Sequence, residues 1–318
     1  MGRHDVSRQS IFFEPNIWLR ANAWEIKAKM NSELPDLTTM VNYRDDSNPM
    51  NIILGNTQLR NIHYYDIEGG KTFEGKKHSR LNINMGYHQT DNAVAYSLVF
   101  DKQTGVSTVQ PISVNGNYRI DLGIGYTRPL DKKEKLSIDN QASFNYNHNV
   151  DMAMVQGATQ SQRSIVNNWK ISNVLKLNYR PDDNYEFTLH GGGTYYLIKS
   201  QREGFSNIHA GDYNIGVNVQ VALPWKLQLT TDLTMFARRG YQLSEMNTTD
   251  WIWNAQLSRI FINKKFLVKL QGFDILRQLS NTQYLMNAQG RTETWNNSIP
   301  RYVMLSLSWR FNVNPKKK

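Results

Sequence analysis

Apolar and polar residues alternate in steps of two along most of this chain. In RYVMLSLSWRF, Arg301 to Phe311, one row is Val303, Leu305, Leu307, Trp309 and Phe311, and the other is Tyr302, Met304, Ser306, Ser308 and Arg310. A period of two sends successive side chains to opposite faces of a strand, so one row seeks an apolar medium while the other tolerates water. The pattern recurs. Tyr118, Ile120, Leu122, Ile124 and Tyr126 face away from Arg119, Asp121, Gly123, Gly125 and Thr127, and Leu81, Ile83, Met85 and Tyr87 from Asn82, Asn84, Gly86 and His88. Further rows run over Leu136 to Tyr146, Trp169 to Tyr179, Tyr185 to Tyr195, Ile215 to Leu223 and Leu227 to Met235. Helical three-and-four spacing is nowhere sustained, which predicts an all-β protein.

Two media suit such a greasy face: the core of a soluble sandwich, or lipid around a barrel. Sandwich strands average about 5 to 6 residues, whereas tilted membrane strands need roughly 9 to 11. These rows reach the greater length, and aromatics bracket them, as Tyr118 with Tyr126, Trp169 with Tyr179, and Tyr185 with Tyr195. Ten residues tilted by ~40° climb ~25 Å, the height of the apolar band between the aromatic girdles of an outer-membrane barrel. The connections agree. Backwards from the last strand, long Asp274 to Ile299 is followed by short Asn263 to Lys265, long Arg238 to Thr249 by short Leu223 to Lys226, and long Lys199 to Gly211 by short Pro181 to Asn184. Val150 to Ser164 is long and Pro129 to Lys135 short; Leu34 to Arg60 is long, with short turns at Gly69 to His78 and Arg20 to Trp24. Leu81 to Gln110 reads as one hairpin that overshoots the membrane, with its turn at Asp101 to Gly105. Alternation of long external and short periplasmic connections is the habit of outer-membrane barrels.

The expected fold is therefore an antiparallel transmembrane β-barrel over residues 11–311, with about 13 strands, after a leader over 1–10 and before a basic tail over 312–318. An odd count puts the two ends of the sheet on opposite sides of the membrane, whereas single-chain bacterial barrels have even counts. The expectation is thus the C-terminal part of a larger barrel. Met1 to Ser10 lacks the apolar segment of a signal peptide.

Composition removes other classes. No run approaches the ~18 apolar residues of a membrane helix. Cysteine is absent, which excludes disulfides, thiolate metal sites and cysteine nucleophiles. The net charge is +10, but Lys and Arg are spread along the chain, so nucleic acid is not an expected partner. Lys316 to Lys318 reads as a solvated tail.

Three stretches resemble one family. DSNPMNIILGNTQL, Asp46 to Leu59, resembles the D-x-x-NP-x-x-x-x-GNP-x-L signature of Bacteroidetes outer-membrane β-barrel proteins related to TonB-dependent receptors, with Thr57 in place of the second proline. VNGNYRIDLGIGYTRPL is similar to one of their middle strands and RYVMLSLSWRF to their closing strand. The resemblance implies location in the cell outer membrane of a Gram-negative bacterium, a barrel of about 22 strands, a role in nutrient uptake, and outer-membrane lipid as a partner. It also implies that the barrel-insertion machinery reads Val303, Leu305, Leu307, Trp309 and Phe311 as the insertion signal, although Asn312 to Lys318 follow them. No plug or TonB box is found in the sequence, so TonB is a partner only if a plug lies upstream. An uncoupled porin-like channel or structural barrel is the alternative, and a soluble secreted β-sandwich binding protein the third reading.

Candidate chemistry is sparse. The seven histidines, His4, His63, His78, His88, His148, His190 and His209, are scattered singly, which suits structural roles better than a hydrolase site. Asp182 and Asp183 beside Pro181 read as turn chemistry, and Asp45 with Asp46 lacks the further carboxylates of a calcium site. Gly191 to Gly193 falls within a strand and reads as a bend or close packing. No enzyme activity, metal or cofactor is expected. The ligand is an unidentified small molecule, and its candidate contacts are Tyr284, Arg291 and Trp295 in the long connection after Asp274, because these residue types are enriched at binding sites.

Overall fold

The computed structural model describes residues 14–21, 24–155, 157–262, 265–279, 282–287, 290–295 and 299–311. The expected leader over 1–10 and tail over 312–318 lie outside them. The chain begins with β1 (Asn16–Ala21), β2 (Trp24–Glu33), the short helix α1 (Leu37–Met40), β3 (Arg44–Asp45), β4 (Asn51–Leu54), β5 (Ile62–Glu74), β6 (Arg80–Asp91), β7 (Ala93–Phe100) and β8 (Ser107–Val114). Long strands follow: β9 (Asn117–Pro129), β10 (Leu136–Ala153), β11 (Gln162–Asp182), β12 (Tyr185–Ser200), β13 (Ile208–Leu223), β14 (Leu227–Arg239) and β15 (Thr249–Phe261). The last are β16 (Phe266–Phe273), β17 (Thr282–Asn287), β18 (Gly290–Trp295) and β19 (Tyr302–Trp309).

The strands build one antiparallel sheet of thirteen, in the order β1, β2, β5, β6, β9, β10, β11, β12, β13, β14, β15, β16, β19. The predicted all-β class and strand count are thus present, as an open sheet with β1 and β19 at its edges. β10 and β11 run to 18 and 21 residues, well beyond sandwich strands of about 5 to 6. Register carries the two-residue alternation across neighbours. Leu229 pairs with Leu257, Leu257 with Leu270, and Leu270 with Leu305, so one face is apolar from strand to strand. On that face Ile171, Leu189, Ile215 and Leu305 are 52, 50, 50 and 63 % exposed. Its aromatic rings fall in two bands. Near the long connections, Tyr87, Tyr118, Tyr146 and Trp169 follow one another at centroid distances of 6.1, 5.8 and 5.1 Å. Near the short turns stand Trp24 with Phe73, Tyr179 with Phe187, and Phe266 between Phe261 and Trp309. Tyr118 to Tyr126 along β9 spans roughly 26 Å of extended chain.

The stretch expected to form one overshooting hairpin divides instead. Asn92 takes φ 56° and Gly116 φ 105°, so the chain turns sharply between β6 and β7 and again between β8 and β9. The Asn92 amide donates to Asn61 O at 3.0 Å, while its backbone N donates to Asn115 Oδ1 at 2.6 Å, holding the two turns together. Below them β6 pairs with β9 in the large sheet; above them β7 and β8 join β3 and β4 in a separate four-stranded sheet, ordered β3, β4, β8, β7. Here β4 lies parallel to β8. The long connection before β5 is therefore structured by the Asp46 to Leu59 stretch. Asn48 Oδ1 accepts from Met50 N at 3.1 Å, Asn56 donates to Pro111 O at 2.8 Å, and Leu59 is fully buried. Gly55 has no room for a side chain, because a Cβ would collide with the carbonyl of Val41.

Buried hydrophobic residues gather at the end of the large sheet that carries the long connections. One cluster is Val166, Ile198, Ile208 and Ala210 with Phe205 and Tyr241 against it. Another is Ala95, Val114 and Val150, with Met152 and Ile165. Met246 is fully buried nearby in sequence to Ala237, in the connection from β14 to β15. That connection starts at Gly240, whose φ is +81° and whose added Cβ would collide with His209 O. Gly240→Ala therefore combines left-handed strain with a clash and is expected to cost more than ~1 kcal/mol, whereas Gly157→Ala, with φ +83° but open space around it, costs less. Denaturant unfolding of the two variants side by side checks the difference, and equal losses would contradict it.

Candidate functional site

The polar face opposite the apolar one holds a charged network. Register sets Lys29, Asp66, His88 and Arg119 side by side on β2, β5, β6 and β9. The next row, one alternation further on, is Lys27, Glu68, Gly86, Asp121 and Asn145. Gly86 leaves an opening in this second row: a Cβ there would come within 3.0 Å of His88 Nε2. The imidazole leans across it. His88 Nδ1 lies 2.7 Å from Asp66 Oδ1 and Nε2 lies 3.3 Å from Asp121 Oδ2. Arg119 Nε donates to Asp121 Oδ2 at 2.6 Å, Asn145 donates to Asp121 Oδ1 at 2.6 Å, and Lys29 Nζ stands 3.8 Å from Asp66 Oδ2.

Around the network the polar face forms a groove of about 1060 Å³, walled by Arg20, Lys27, Glu68, His88, Arg119 and Asp121. Gly70, Gly86 and Gly123 line it too, and their missing side chains deepen it. Both signs of charge are present, Arg20 pairing with Glu25 at one side. With both ring nitrogens of His88 facing carboxylates, the imidazole has no free nitrogen with which to activate a hydroxyl, so the arrangement is a rigid polar wall rather than a nucleophile–base pair. Among the described residues no group of three His, Asp or Glu side chains could hold a metal ion.

Other histidines fall into separate local bonds: His63 with Ser32, His78 with Glu134, His148 with Asn167, His190 with Thr234 and His209 with Tyr195. His4 lies outside the described residues. The acidic turns behave as turn chemistry. Asp182 accepts from Asn184 N at 2.7 Å, Asp183 pairs with Arg180, and hydrogen bonds from the Ser47 side chain and then its backbone N hold the Asp45 carboxyl below the usual range. Gly193 lies against the Tyr213 ring, where a Cβ would meet Cδ1 at 3.1 Å, so the glycine run serves close packing.

The three candidate ligand residues fall on the hairpin of β17 and β18, which stands apart as a two-stranded sheet. Thr282 pairs with Trp295, Tyr284 with Glu293 and Met286 with Arg291 in backbone register, so the three positions belong to one hairpin. The lining of the groove comes from β1, β2, β5, β6, β9 and β10 and not from this hairpin. Val303, Leu305, Leu307 and Trp309 lie on the exposed apolar face of the edge strand β19, followed by Phe311, 82 % exposed. The Asp66, His88 and Asp121 network was not singled out from sequence; the signal available was three titratable residues at polar positions of alternating strands, of which only β5 and β6 are joined by a short turn.

No protein-family model and no curated protein matches the sequence. The likeness to an outer-membrane family accordingly rests on the three quoted stretches.

A second polar contact lies beyond the end of β14. Tyr241 donates to Asp212 Oδ1 at 2.9 Å, and Arg238 Nε lies 3.7 Å from the same oxygen. Burial, followed by the hydrogen bond and the negative charge of Asp212, pushes the Tyr241 phenol well above its ordinary value near 10. A raised phenol pKa means that this contact stabilises the fold below the ordinary tyrosine value and is lost as pH rises through the raised one. Asp212→Asn is expected to bring the Tyr241 pKa down while burial keeps it above ordinary. Ultraviolet difference titration against Tyr241→Phe reads this, and an unmoved pKa would contradict it.

Proposed function

We propose that this chain forms the membrane-spanning wall of an outer-membrane β-barrel resembling the C-terminal part of a TonB-dependent receptor, and that it takes part in nutrient uptake. One observation carries the reading: an apolar face continuous over thirteen strands, uncovered by any other element among the described residues and bordered by two aromatic bands. In water so large an apolar surface is an aggregation site; in a bilayer it is the solvated surface. The polar face then lines the passage, with the charged groove in its wall. The ends of β1 and β19 fit a larger barrel, because in an antiparallel sheet of thirteen they run in the same direction, and closure through antiparallel partners takes an odd number of further strands. About nine would complete the 22 of the family it resembles. Coupling to TonB belongs to a plug, and uptake by this wall alone would be passive.

Expression with a bacterial signal sequence should place the protein in the outer-membrane fraction as a heat-modifiable species. Recovery as a monodisperse protein without detergent would defeat the reading. A single substitution gives a finer measure. Leu175→Arg, midway along β11 on the apolar face, is expected to cost ~2–4 kcal/mol for folding into lipid vesicles. On a water-facing surface the same change stays within about 0.5 kcal/mol, and that result would contradict lipid contact.

A further inference from the structure

The ends of β10 to β14 that carry the long connections differ on their two faces. Near the polar-face positions of β11 lies a cavity of about 450 Å³, where Ser164 Oγ and Asn168 Oδ1 are buried with no hydrogen-bond partner among the described residues. The positions on the apolar face carry a basic band. Register puts His148, Arg163, Lys199, His209 and Arg239 on that face, one on each of five neighbouring strands. Each stands beyond the aromatic band. His148 follows Tyr146 by two positions, Lys199 follows Tyr195 by four, Arg163 and His209 precede Trp169 and Tyr213 by six and four, and Arg239 pairs with Gly211, two positions past Tyr213. From β12 to β14 the band shifts by two positions per strand, since His209 pairs with Leu197 and Arg239 with Gly211. The aromatics shift the same way, Trp169 pairing with Leu197 and Tyr195 with Gly211. Such a shift keeps residues of tilted strands at one depth.

The charge is of one sign and at one end. None of the apolar-face positions beyond these aromatics on β10 to β14 is Asp or Glu, and the opposite ends of the same strands present Leu136, Tyr179, Tyr185, Leu223 and Leu227 on this face. Arg163 donates to Asn115 O at 3.2 Å, Lys199 Nζ stands 6.0 Å over the Trp169 ring, and Arg239 donates to Thr248 O at 2.7 Å; none of the three pairs with a carboxylate among the described residues. Nor are they covered. Phe205 and Tyr241 pack on Val166, Ile198, Ile208 and Ala210, which are polar-face positions, and Lys199, His209 and Arg239 stay exposed.

We propose that this band binds the phosphate of an anionic lipid in the leaflet on the side of the long connections. The inference rests on the membrane reading. Acyl chains lie along the apolar rows, aromatic rings sit at headgroup depth, and the phosphate meets Arg163, Lys199 and Arg239 through charge-assisted hydrogen bonds. Basic side chains gathered at a bilayer surface favour anionic lipid, and the effect weakens with salt. A zwitterionic lipid brings its own ammonium to the same place and gains less.

The test reconstitutes the full chain into phosphatidylcholine vesicles containing a trace of spin-labelled phosphatidic acid or spin-labelled phosphatidylcholine, and reads the motionally restricted fraction of each by electron paramagnetic resonance. Both labels should show a restricted fraction, and phosphatidic acid should be preferred about twofold or more when averaged over the whole boundary, the preference falling in about 1 M salt. The triple variant Arg163→Gln, Lys199→Gln, Arg239→Gln should lose most of the preference and keep the restricted fraction. Lys71→Gln with Arg259→Gln, cations at the short-turn end, should keep both. A restricted fraction without headgroup preference would overturn the proposal and leave the membrane reading standing; no restricted fraction with either lipid would defeat the membrane reading and the proposal with it. Loss of the preference on adding millimolar inorganic phosphate would assign the band to free phosphate and overturn the lipid proposal. The headgroup and salt comparisons use the unaltered chain, so they decide the matter even where a variant fails to fold.

Discussion

An extended strand leaves half of its hydrogen-bonding groups pointing to each side and alternate side chains on each face, and the structure follows from how those demands are met. Each interior strand of the thirteen satisfies its backbone through two antiparallel neighbours. Strands as long as β10 and β11 can persist only because their neighbours match them in length and register. The same alternation that pairs the backbones gathers Leu229, Leu257, Leu270 and Leu305 on one side, where among the described residues no helix and no second sheet lies over them. The apolar face is therefore the constraint that every other feature has to accommodate.

The opposite face shows the complement. It carries Lys29, Asp66, His88, Arg119 and Asp121 in direct contact, an arrangement suited to a wet surface in which glycines are spaced to let long polar side chains cross over one another. Buried hydrophobic residues gather at the end with the long connections, where the small sheet and the β14 to β15 connection pack against the strand ends. Both the orphaned Ser164 and Asn168 atoms and the Tyr241 to Asp212 contact occur there. Chemistry is concentrated where strand gives way to loop, as expected when a repetitive scaffold supplies rigidity and its connections supply individuality.

Much of this was legible in the residues. Alternation is local, so rows such as Tyr118 to Tyr126 read directly as strands, and the count of about 13 expected from the rows and the connections between them matches the thirteen strands of the sheet. The small sheet was not legible, because it depends on contacts between distant segments: the parallel pairing of Asn51 to Ile53 with Ser107 to Val109, and the left-handed backbone at Asn92 and Gly116 that lifts β7 and β8 out of the large sheet. The faces holding Asp121 and His88 were readable, but their meeting was not, since it needs two registers at once and the open space above Gly86. The cavity beside Ser164 was beyond reach for the same reason: it is bounded by parts of β6 to β12 that meet only through pairings between distant segments.

The most direct test of the account exploits the absence of cysteine from the sequence. Single cysteines placed in turn at Ile171, Ser172, Asn173, Val174, Leu175 and Lys176 of β11, each carrying a nitroxide in the folded chain reconstituted into vesicles, report contact with lipid-soluble oxygen or with a water-soluble relaxation agent. The account predicts a strict alternation, with positions 171, 173 and 175 relaxed by oxygen and positions 172, 174 and 176 by the aqueous agent. Uniform water exposure along the strand, or shielding of 171, 173 and 175 from both agents, would contradict it.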